Sequence, residues 1–385
     1  MDNFEFCNPV RIIFGKDRIR DLNEYIPSGV KVMIIYGGGS IFRNGVYEKV
    51  KNALKGVNTC EFGGVEPNPC HETCMRAVTQ IRDSGVDFLL AVGGGSVIDA
   101  TKYIAAAVYF KGDPWQILSR NASINKTMPF GSVLTLPATG TEMNANSVIS
   151  KQSSGEKLAF SDPKVMPQFS ILDPTTSASL PQKQVANGIV DAFVHVIEQY
   201  LTYPNHAPLQ DRMAEAILKT LIEEGPKVYK NPADYDAMAN LMWCSTMALN
   251  GLISRGVPED WMIHMIGHEL TAFHGIDHAR TLAVVLPGVW WVFREEKGEK
   301  LEQYATRVWN IHDGSPAEKV VRAIERTTEF FESLNIATKL SNYNIGIDTV
   351  EKIVQRFKKR RWTAIGDREM GTPEKVREIL EHQLK

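Results

Sequence analysis

The first half of the chain alternates short apolar runs with segments of helical periodicity. The apolar runs are KVMIIY at 31–36, DFLLAV around 88–92 and SVLTLPATGTE at 132–142. The helical patterns between them are VYEKVKNALK and VIDATKYIAAAVYF, and each of them follows a glycine-rich turn. Strands that alternate with helices predict a mostly parallel sheet with both faces covered by helices.

The second half changes character from about Pro181. Long stretches such as QDRMAEAILKTLIEEG, DAMANLMWCSTMALNGL and AEKVVRAIERTTEFFESL place apolar residues at helical spacing, and no strand pattern is evident. The turn-rich segment 172–182 is the expected boundary. We therefore predict an α/β, Rossmann-like dinucleotide-binding domain over 1–180 and an all-helical domain over 181–385, with the active site in the cleft between them.

Composition and charge argue against nucleic-acid-binding, membrane and disulfide-rich proteins. The 43 Lys and Arg residues against 45 Asp and Glu residues give a formal net charge of -2, so no electrostatic footprint for nucleic acid or an anionic membrane is expected. The N-terminus carries an early acid and no apolar core, and the apolar stretch at 281–293 is broken by Pro287. With five scattered cysteines, we expect a soluble cytoplasmic protein with reduced thiols.

Two copies of the sequence GGGS follow predicted strands, at 37–40 and 93–96. Glycine lets the backbone approach a phosphate, and the next helix directs its N–H groups and positive dipole end at the anion. Neither copy matches G-x-G-x-x-G or a Walker A loop, and a tight turn alone also favours glycine. Because both copies end predicted parallel strands, we interpret them as a nucleotide site. The first turn has no acid for an NAD ribose and Arg43 lies close behind, which favours NADP unless that acid lies elsewhere in the chain.

Four of the nine histidines lie within HMIGHELTAFHGIDH, at His264, His268, His274 and His278. On one continuous helix, His264 and His278 would be roughly 21 Å apart along the axis, which is too far for one metal ion to bridge. Either His264 pairs with His268, four residues on, or the helix ends near Gly275 and the chain folds back. Spacing alone leaves both options open.

A second candidate lies in NGIVDAFVHVIEQYL, where Asp191 and His195 are four residues apart. On a helix both side chains project from one face and could share a metal ion, although a hydrogen-bonded pair has the same spacing. Two metalloprotease motifs are excluded, because they need a histidine where the chain has Ala272 and an acid where it has Gly267. A carboxylate and imidazole set without thiolate suits Fe²⁺, Zn²⁺ or Mn²⁺.

These motifs together resemble one enzyme family. The segments GGGSVID, LTLPATGTE, VANGIVDAFVH and HMIGHELTAFHGIDHARTLAVVLP are similar to those of the iron-containing (group III) alcohol dehydrogenases, and the resemblance covers nearly the whole chain. It is closest to the bacterial NADPH-dependent aldehyde reductases and butanol dehydrogenases. The resemblance implies a metal-dependent enzyme that interconverts primary alcohols and aldehydes with NADP(H), mainly in the direction of aldehyde reduction.

The resemblance also implies the metal ligands and the catalytic residues. One divalent ion, Fe²⁺ or Zn²⁺, is expected on Asp191, His195, His264 and His278. His268 would then lie near the nicotinamide and the substrate, as a proton carrier or as an orienting residue, and Asp99 is the second catalytic candidate. His274 matches no shared family histidine, and Glu198 and Glu269 are interpreted as structural or solvent-facing.

For the cofactor, the resemblance assigns glycines and polar side chains in the first half of the chain. The residues expected to contact NADP(H) are Gly37, Gly38, Gly39, Ser40, Asn68, Gly94, Gly95, Ser96, Asp99, Thr135, Asn144 and Lys157. The first turn would hold the adenosine ribose and its 2′-phosphate, and the second turn the pyrophosphate. Close relatives often carry Lys where this chain has Phe42, so Arg43 is the cation expected to compensate.

The expected partners are a small aliphatic aldehyde or alcohol and a second copy of the chain in a homodimer, with no nucleic acid and no membrane. A metal-dependent hydrolase or lyase that uses the same Asp and His residues without a nicotinamide is the alternative, and the paired GGGS turns argue against it. A nucleotide-binding regulator with a structural metal ion is a third hypothesis.

Overall fold

The computed structural model describes residues 1–385, and their contacts divide the chain into two compact units. The sheet unit comprises Cys7–Pro181 and Asn231–Asn250, and the helical unit comprises Met1–Phe6, Gln182–Lys230 and Gly251–Lys385. The expected division into 1–180 and 181–385 differs from this grouping at the N-terminus and at 231–250.

The secondary structure follows the predicted change from mixed to helical. The strands are β1 (Arg11–Phe14), β2 (Lys31–Tyr36), β3 (Asn58–Phe62), β4 (Phe88–Gly93), β5 (Phe130–Leu134), β6 (Asn146–Lys151), β7 (Glu156–Ser161) and β8 (Phe169–Leu172). The helices are α1 (Ser40–Arg43), α2 (Val46–Ala53), α3 (His71–Ser84), α4 (Gly95–Ala107), α5 (Gln116–Ser119), α6 (Gln182–Tyr200), α7 (Pro208–Lys230), α8 (Tyr235–Ala248), α9 (Met262–His274), α10 (His278–Val292), α11 (Gly298–Arg307), α12 (Pro316–Ser333), α13 (Ile347–Arg360) and α14 (Pro373–His382).

Six strands form one parallel sheet in the order β1-β8-β5-β4-β2-β3, and β6 and β7 form a separate antiparallel hairpin. After β2 the chain moves outward to β3, and it then returns to place β4 on the other side of β2. The carboxyl ends of β2 and β4 therefore lie side by side, with Tyr36 paired to Val92. In an open α/β sheet such a reversal of strand order is the usual place for a ligand.

Both faces of the sheet are buried, which explains why its strands read as continuous apolar runs. In β2, Met33 and Ile35 belong to one hydrophobic core, whereas Val32 and Ile34 belong to another. Because successive side chains of a strand point to opposite faces, the two cores lie on the two sides of the sheet. Helix α4 packs into the first core and helix α2 into the second.

The strand predictions at 31–36 and 88–92 are confirmed. The third run differs, because β5 begins before it and the rest of 132–142 forms a loop with a 3-10 turn at Thr141–Met143. The hairpin of β6 and β7 has no counterpart in the sequence prediction. In β7 only Phe160 is buried, so this strand lacks the apolar pattern that marks the others.

Helix α8 has the expected helical periodicity, but it packs in the sheet unit rather than with the later helices. Thr246 donates to the carboxylate of the buried Glu142 at 2.5 Å, and Trp243 packs edge-on against Phe14 with 6.0 Å between ring centroids. Helical periodicity indicates that one face is buried, but it does not identify the partner. The sequence therefore predicts the helix and not its unit.

The helical unit brings together the three helices that carry the candidate metal ligands. Helix α6 is buried over nearly its whole length, α10 packs against it, and α9 packs against α10. Helix α9 ends at His274, where Gly275 adopts the left-handed conformation with φ of 66°, and α10 begins at His278. None of these helices is both long enough and apolar enough to span a membrane.

Lys102 holds the loop after β5 to helix α4. Its side chain is fully buried, and Nζ donates to Thr141 Oγ1 at 2.7 Å, to Asn144 Oδ1 at 2.9 Å and to the carbonyl of Asn146 at 2.7 Å. The Thr141 hydroxyl in turn donates to the Asp99 carboxylate at 2.6 Å. Burial lowers the pKa of Lys102 to about 8, although the nearby Asp99 opposes this shift.

We expect Lys102 to make the folded state more stable as the pH rises from about 8 to 10.5. In this range the folded chain has released the Lys102 proton while the unfolded chain still binds it, so raising the pH favours the folded state. The free energy of unfolding of the wild type minus that of Lys102→Met should therefore increase across this range. Urea titrations at fixed pH measure it, with the exposed Lys16→Met as a control without the trend. A difference that stays flat would contradict the lowered pKa.

Candidate metal centre and nucleotide site

Helix α6 carries three buried polar residues on one face. Asp191, His195 and Glu198 are spaced by four and then three residues, which places them one above another along the helix, and each is at most 4% exposed. Asp191 Oδ2 and His195 Nδ1 are 3.9 Å apart, which is longer than a hydrogen bond. These two atoms are therefore not hydrogen-bonded to each other, although the spacing of four residues in the sequence allowed such a bond.

The chain reverses between α9 and α10, as the second of the two histidine options requires. The left-handed Gly275 ends α9, and the backbone N–H of Gly275 donates to the carbonyl of Thr271. As a result the rings of His264 and His278 lie 5.0 Å apart between centroids. On an unbroken helix these two rings could not have met.

Gly267 permits the close approach of α9 and α10. A Cβ atom at this position would lie 3.0 Å from Leu282 Cδ2 and 3.0 Å from Thr281 Oγ1, both on α10. Such distances are shorter than ordinary packing contacts, so a side chain here would force the two helices apart. Gly267, whose presence excludes one metalloprotease motif, therefore has a packing role one helical turn after His264.

Asp191, His195 and His264 form a buried cluster whose candidate ligand atoms all lie within 4.8 Å of one another. The rings of His195 and His264 stack with 4.7 Å between centroids, and His278 Nε2 lies 3.7 Å from Asp191 Oδ1. Trp261 covers one side, with its ring 5.2 Å from that of His264. One carboxylate and three imidazoles therefore converge from three helices.

This donor set fits a divalent transition-metal ion. Burial lowers the pKa of His195 to about 4, so its imidazole is neutral near pH 7, which is the form that binds metals. Its Nδ1 is buried and has no hydrogen-bond partner in the protein, which is costly for a polar atom unless a further group occupies the site. Imidazole and carboxylate without thiolate suit iron or zinc.

The other two histidines of the stretch have different surroundings. The ring of His268 lies 4.9 Å from that of His278 and 6.0 Å from that of His264, beside the cluster. His274 Nε2 is 2.9 Å from Thr349 Oγ1 on α13. His274 therefore fastens the end of α9 to a neighbouring helix, a role that the sequence did not indicate.

Two glutamates, interpreted from the sequence as structural or solvent-facing, prove to be buried, which agrees with the first of these alternatives. Glu269 is 3% exposed and pairs with Arg356, at 2.8 Å, and with Arg360 on α13. Glu198 contacts His264 Nδ1 directly, and burial, together with the nearby Asp260, raises its pKa. The signal for Glu198 is present in the sequence, because it lies seven residues after Asp191 on the same helical face.

The two GGGS turns lie at the ends of the neighbouring strands β2 and β4, where the strand order reverses. At Gly93 and Gly95 an added Cβ would come within 2.7 Å of Val97 or Thr139, so packing within the protein already requires glycine there. At Gly38 an added Cβ would meet nothing within 4 Å. Packing within the protein therefore does not require glycine at that position.

The side chains near the first turn include aromatic rings as well as Arg43. Phe42 is 47% exposed, and its ring lies 4.4 Å from that of Tyr47 and 5.3 Å from that of Tyr36. Glu61, at the end of β3, accepts from the Tyr47 hydroxyl at 2.7 Å. The turn itself contains no acid, as the sequence indicates.

The remaining predicted cofactor residues are Asn68, Asp99, Thr135, Asn144 and Lys157. Lys157 donates to Asn68 at 2.8 Å, so these two lie together. The Asp99 carboxylate accepts from the backbone of Val148 at 2.9 Å as well as from a threonine, and burial raises its pKa. Asn144 donates to the carbonyl of Gly140 at 3.0 Å and accepts from a buried lysine, so its amide is engaged within its own loop. Thr135 is buried directly after β5.

Family models match both halves of the chain. A model described as iron-containing alcohol dehydrogenase matches residues 9–174, and one described as Fe-containing alcohol dehydrogenase family, C-terminal, matches residues 185–384. Among relatives, the chain is 51% identical over 384 residues to the NADPH-dependent aldehyde reductase YqhD of Escherichia coli, with 99% of each chain covered. It is 39% identical over 386 residues to the NADH-dependent butanol dehydrogenase A of Clostridium acetobutylicum, again with 99% of each covered.

A solved structure agrees with these matches. The crystal structure of E. coli K-12 YqhD superimposes with a TM-score of 0.98 at 51% identity and covers 99% of both chains. Full-length identity of this size leaves no room for a different fold. The chain therefore belongs to the iron-containing alcohol dehydrogenase family.

Proposed function

We propose that this chain, an oxidoreductase that interconverts alcohols and aldehydes, works mainly as an NADPH-dependent reductase of small aliphatic aldehydes. The observation that carries the proposal is the 51% identity over 384 residues to a protein named as an NADPH-dependent aldehyde reductase. Relatives named as NADH-dependent butanol dehydrogenases are less similar, at 39%. The alternative of a hydrolase or lyase without a nicotinamide has no support among these relatives.

In this proposal the two glycine turns bind the dinucleotide. Gly94, Gly95 and Ser96 face the pyrophosphate, because α4 begins there and helix N-termini attract anions. Gly37, Gly38, Gly39 and Ser40 receive the adenosine ribose, and Arg43 supplies the charge for a 2′-phosphate. The place of this turn at the end of β2, beside the end of β4, supports this assignment.

The other residues proposed for the nucleotide site either bind the dinucleotide directly or shape the pocket around it. Lys157 and Asn68, which already contact each other, are proposed to bind the dinucleotide directly. Asp99 and Asn144 are proposed to shape the nicotinamide end, because both are tied into the loop that Lys102 holds. Thr135, directly after β5, is proposed as a further contact of the dinucleotide.

Asp191, His195, His264 and His278 are proposed to hold the divalent ion of this family, either iron or zinc. Their support is the convergence of one carboxylate and three imidazoles from α6, α9 and α10. A bound divalent ion supplies Lewis-acid polarisation of the substrate oxygen. The metal content of the purified protein distinguishes iron from zinc.

His268 is proposed to carry the proton that the alcohol gains or loses. Its ring lies beside the candidate ligands rather than among them, and an imidazole can both give and accept a proton near neutral pH. Its alternative role is to orient the cofactor.

A homodimer and a cytoplasmic location complete the proposal. The outer edge of β1 pairs with no other strand of the sheet, and Phe14 on that strand is 38% exposed, so this edge presents backbone groups with which a second chain can pair. All five cysteines are free thiols, as expected in a reducing compartment.

The function is tested by following NADPH absorbance with butanal as the substrate. Wild-type protein should oxidise NADPH, and Asp191→Ala should lose more than about 100-fold in rate because the cluster loses its carboxylate ligand. Asp348→Ala, which changes an exposed acid of the same unit, is the control. Full activity in Asp191→Ala would contradict the ligand set. Failure of the wild type to bind NADPH and to oxidise it with any aldehyde would contradict the function.

The preference for NADPH over NADH should depend on Arg43. Removing this cation in Arg43→Ala should raise the KM for NADPH about tenfold, because a charge-assisted contact to phosphate is lost, and should leave the KM for NADH nearly unchanged. Arg20→Ala, at another exposed arginine of the sheet unit, is the matched control. Equal effects on the two cofactors would rule out a 2′-phosphate contact.

The two roles of His268 predict different kinetics. If it carries the proton, His268→Ala should lower kcat by about 10² to 10⁴ while NADPH affinity and metal content stay at wild-type values. His274→Ala, which removes only the contact with Thr349, should keep wild-type kcat. A weaker affinity for NADPH with little change in kcat would instead favour the orienting role.

A further inference from the structure

We propose that Glu198 is a positioning residue that fixes the ring of His264, so that Nε2 is the atom that binds the metal ion. The inference rests on the proposed function, because it takes His264 as a ligand. It starts from three contacts of one buried carboxylate with the first turn of α9.

Glu198 reaches both the backbone and the side chain of His264. Its Oε1 accepts from the N–H of Ile263 at 2.7 Å and from the N–H of His264 at 3.2 Å. Its Oε2 contacts His264 Nδ1. A single carboxylate from α6 therefore holds the start of α9 and the imidazole ring at the same time.

These contacts decide which ring nitrogen faces the metal ligands. When Glu198 is ionised it can only accept hydrogen bonds, so Nδ1 of His264 then carries the proton. The lone pair of the neutral ring is then on Nε2, and the ring stacks on that of His195. Carboxylates that hold metal-binding histidines in this way fix the tautomer and raise the basicity of the ligand.

The position of Glu198 is itself restrained by a second buried network. The backbone N–H of Asp260 donates to the Glu198 carbonyl at 2.7 Å, and the Asp260 carboxylate accepts from Met262 N at 2.9 Å. Lys297 Nζ contacts Asp260 at 2.8 Å and Asp367 at 3.1 Å. Neither α6 nor the start of α9 can shift without breaking these contacts, so the carboxylate stays aligned with the ring.

A purely structural role is the competing explanation, because a carboxylate at a helix N-terminus also stabilises that helix. Glu198→Gln separates the two roles. The amide oxygen can still accept from the two backbone N–H groups, but the amide NH₂ then faces Nδ1 and cannot accept from it. The helix start is kept, and the tautomer that presents Nε2 is lost.

The test is Zn²⁺ affinity, measured by competition with a chelator on the full chain, together with the visible spectrum of the Co²⁺-loaded protein. Glu198→Gln should weaken Zn²⁺ binding 10- to 100-fold and shift the Co²⁺ bands. Glu198→Asp keeps a carboxylate at a longer reach and should lie between this variant and the wild type. Glu269→Gln alters another buried glutamate, paired with Arg356 and Arg360, and should lower thermal stability without changing either metal readout.

Two outcomes would overturn the proposal, and they are distinguishable. Wild-type Zn²⁺ affinity and Co²⁺ spectrum in Glu198→Gln, with only a lower melting temperature, would reduce Glu198 to a helix cap while the proposed ligands stand. Absence of Zn²⁺ binding by the wild type would overturn the ligand set itself, whatever the NADPH assay gives.

Discussion

The reversal of the chain at Gly275 is the constraint on which the candidate metal centre depends. His264 and His278 are fourteen residues apart in the sequence, yet their rings lie 5.0 Å apart. The left-handed backbone at Gly275 ends α9, and Gly267 lets the two helices approach closely. A side chain at Gly275 would be strained whatever the space around it, since φ there is positive. Two glycines therefore define the site as much as the histidines do.

Buried charges hold the elements on which both candidate sites are built. In the helical unit, Glu269 ties α9 to α13 and Glu198 ties α6 to α9. In the sheet unit, Lys102 ties α4 to the loop that carries Asn144. A buried charge is costly unless it is paired and hydrogen-bonded, and each of these groups has such partners. Removing one partner would leave the other buried and unsatisfied, so each contact is costly to break.

Much of the fold could be predicted because it depends on local pattern. The continuous apolar runs of β2 and β4 follow from burial on both faces of a sheet, and the end of α9 follows from a glycine at the right place. The unit in which α8 packs could not be predicted, since periodicity does not name a partner. The hairpin of β6 and β7 was missed because its buried positions are few. The contacts of Glu198 and Lys102 could not be predicted because their partners are distant in sequence, 66 residues away for His264 and 42 for Asn144.

The glycine turns illustrate what a motif can and cannot establish. The two GGGS copies are identical in sequence, yet Gly93 and Gly95 are needed by the packing of the protein itself, whereas Gly38 is not. Open space beside a glycine does not by itself indicate a ligand, since Gly298 and Gly346 have it too. The case for a nucleotide at the first turn therefore depends on the place of that turn at the end of β2, beside the end of β4. The case at the second turn depends on the helix that begins there and on the reversal of strand order.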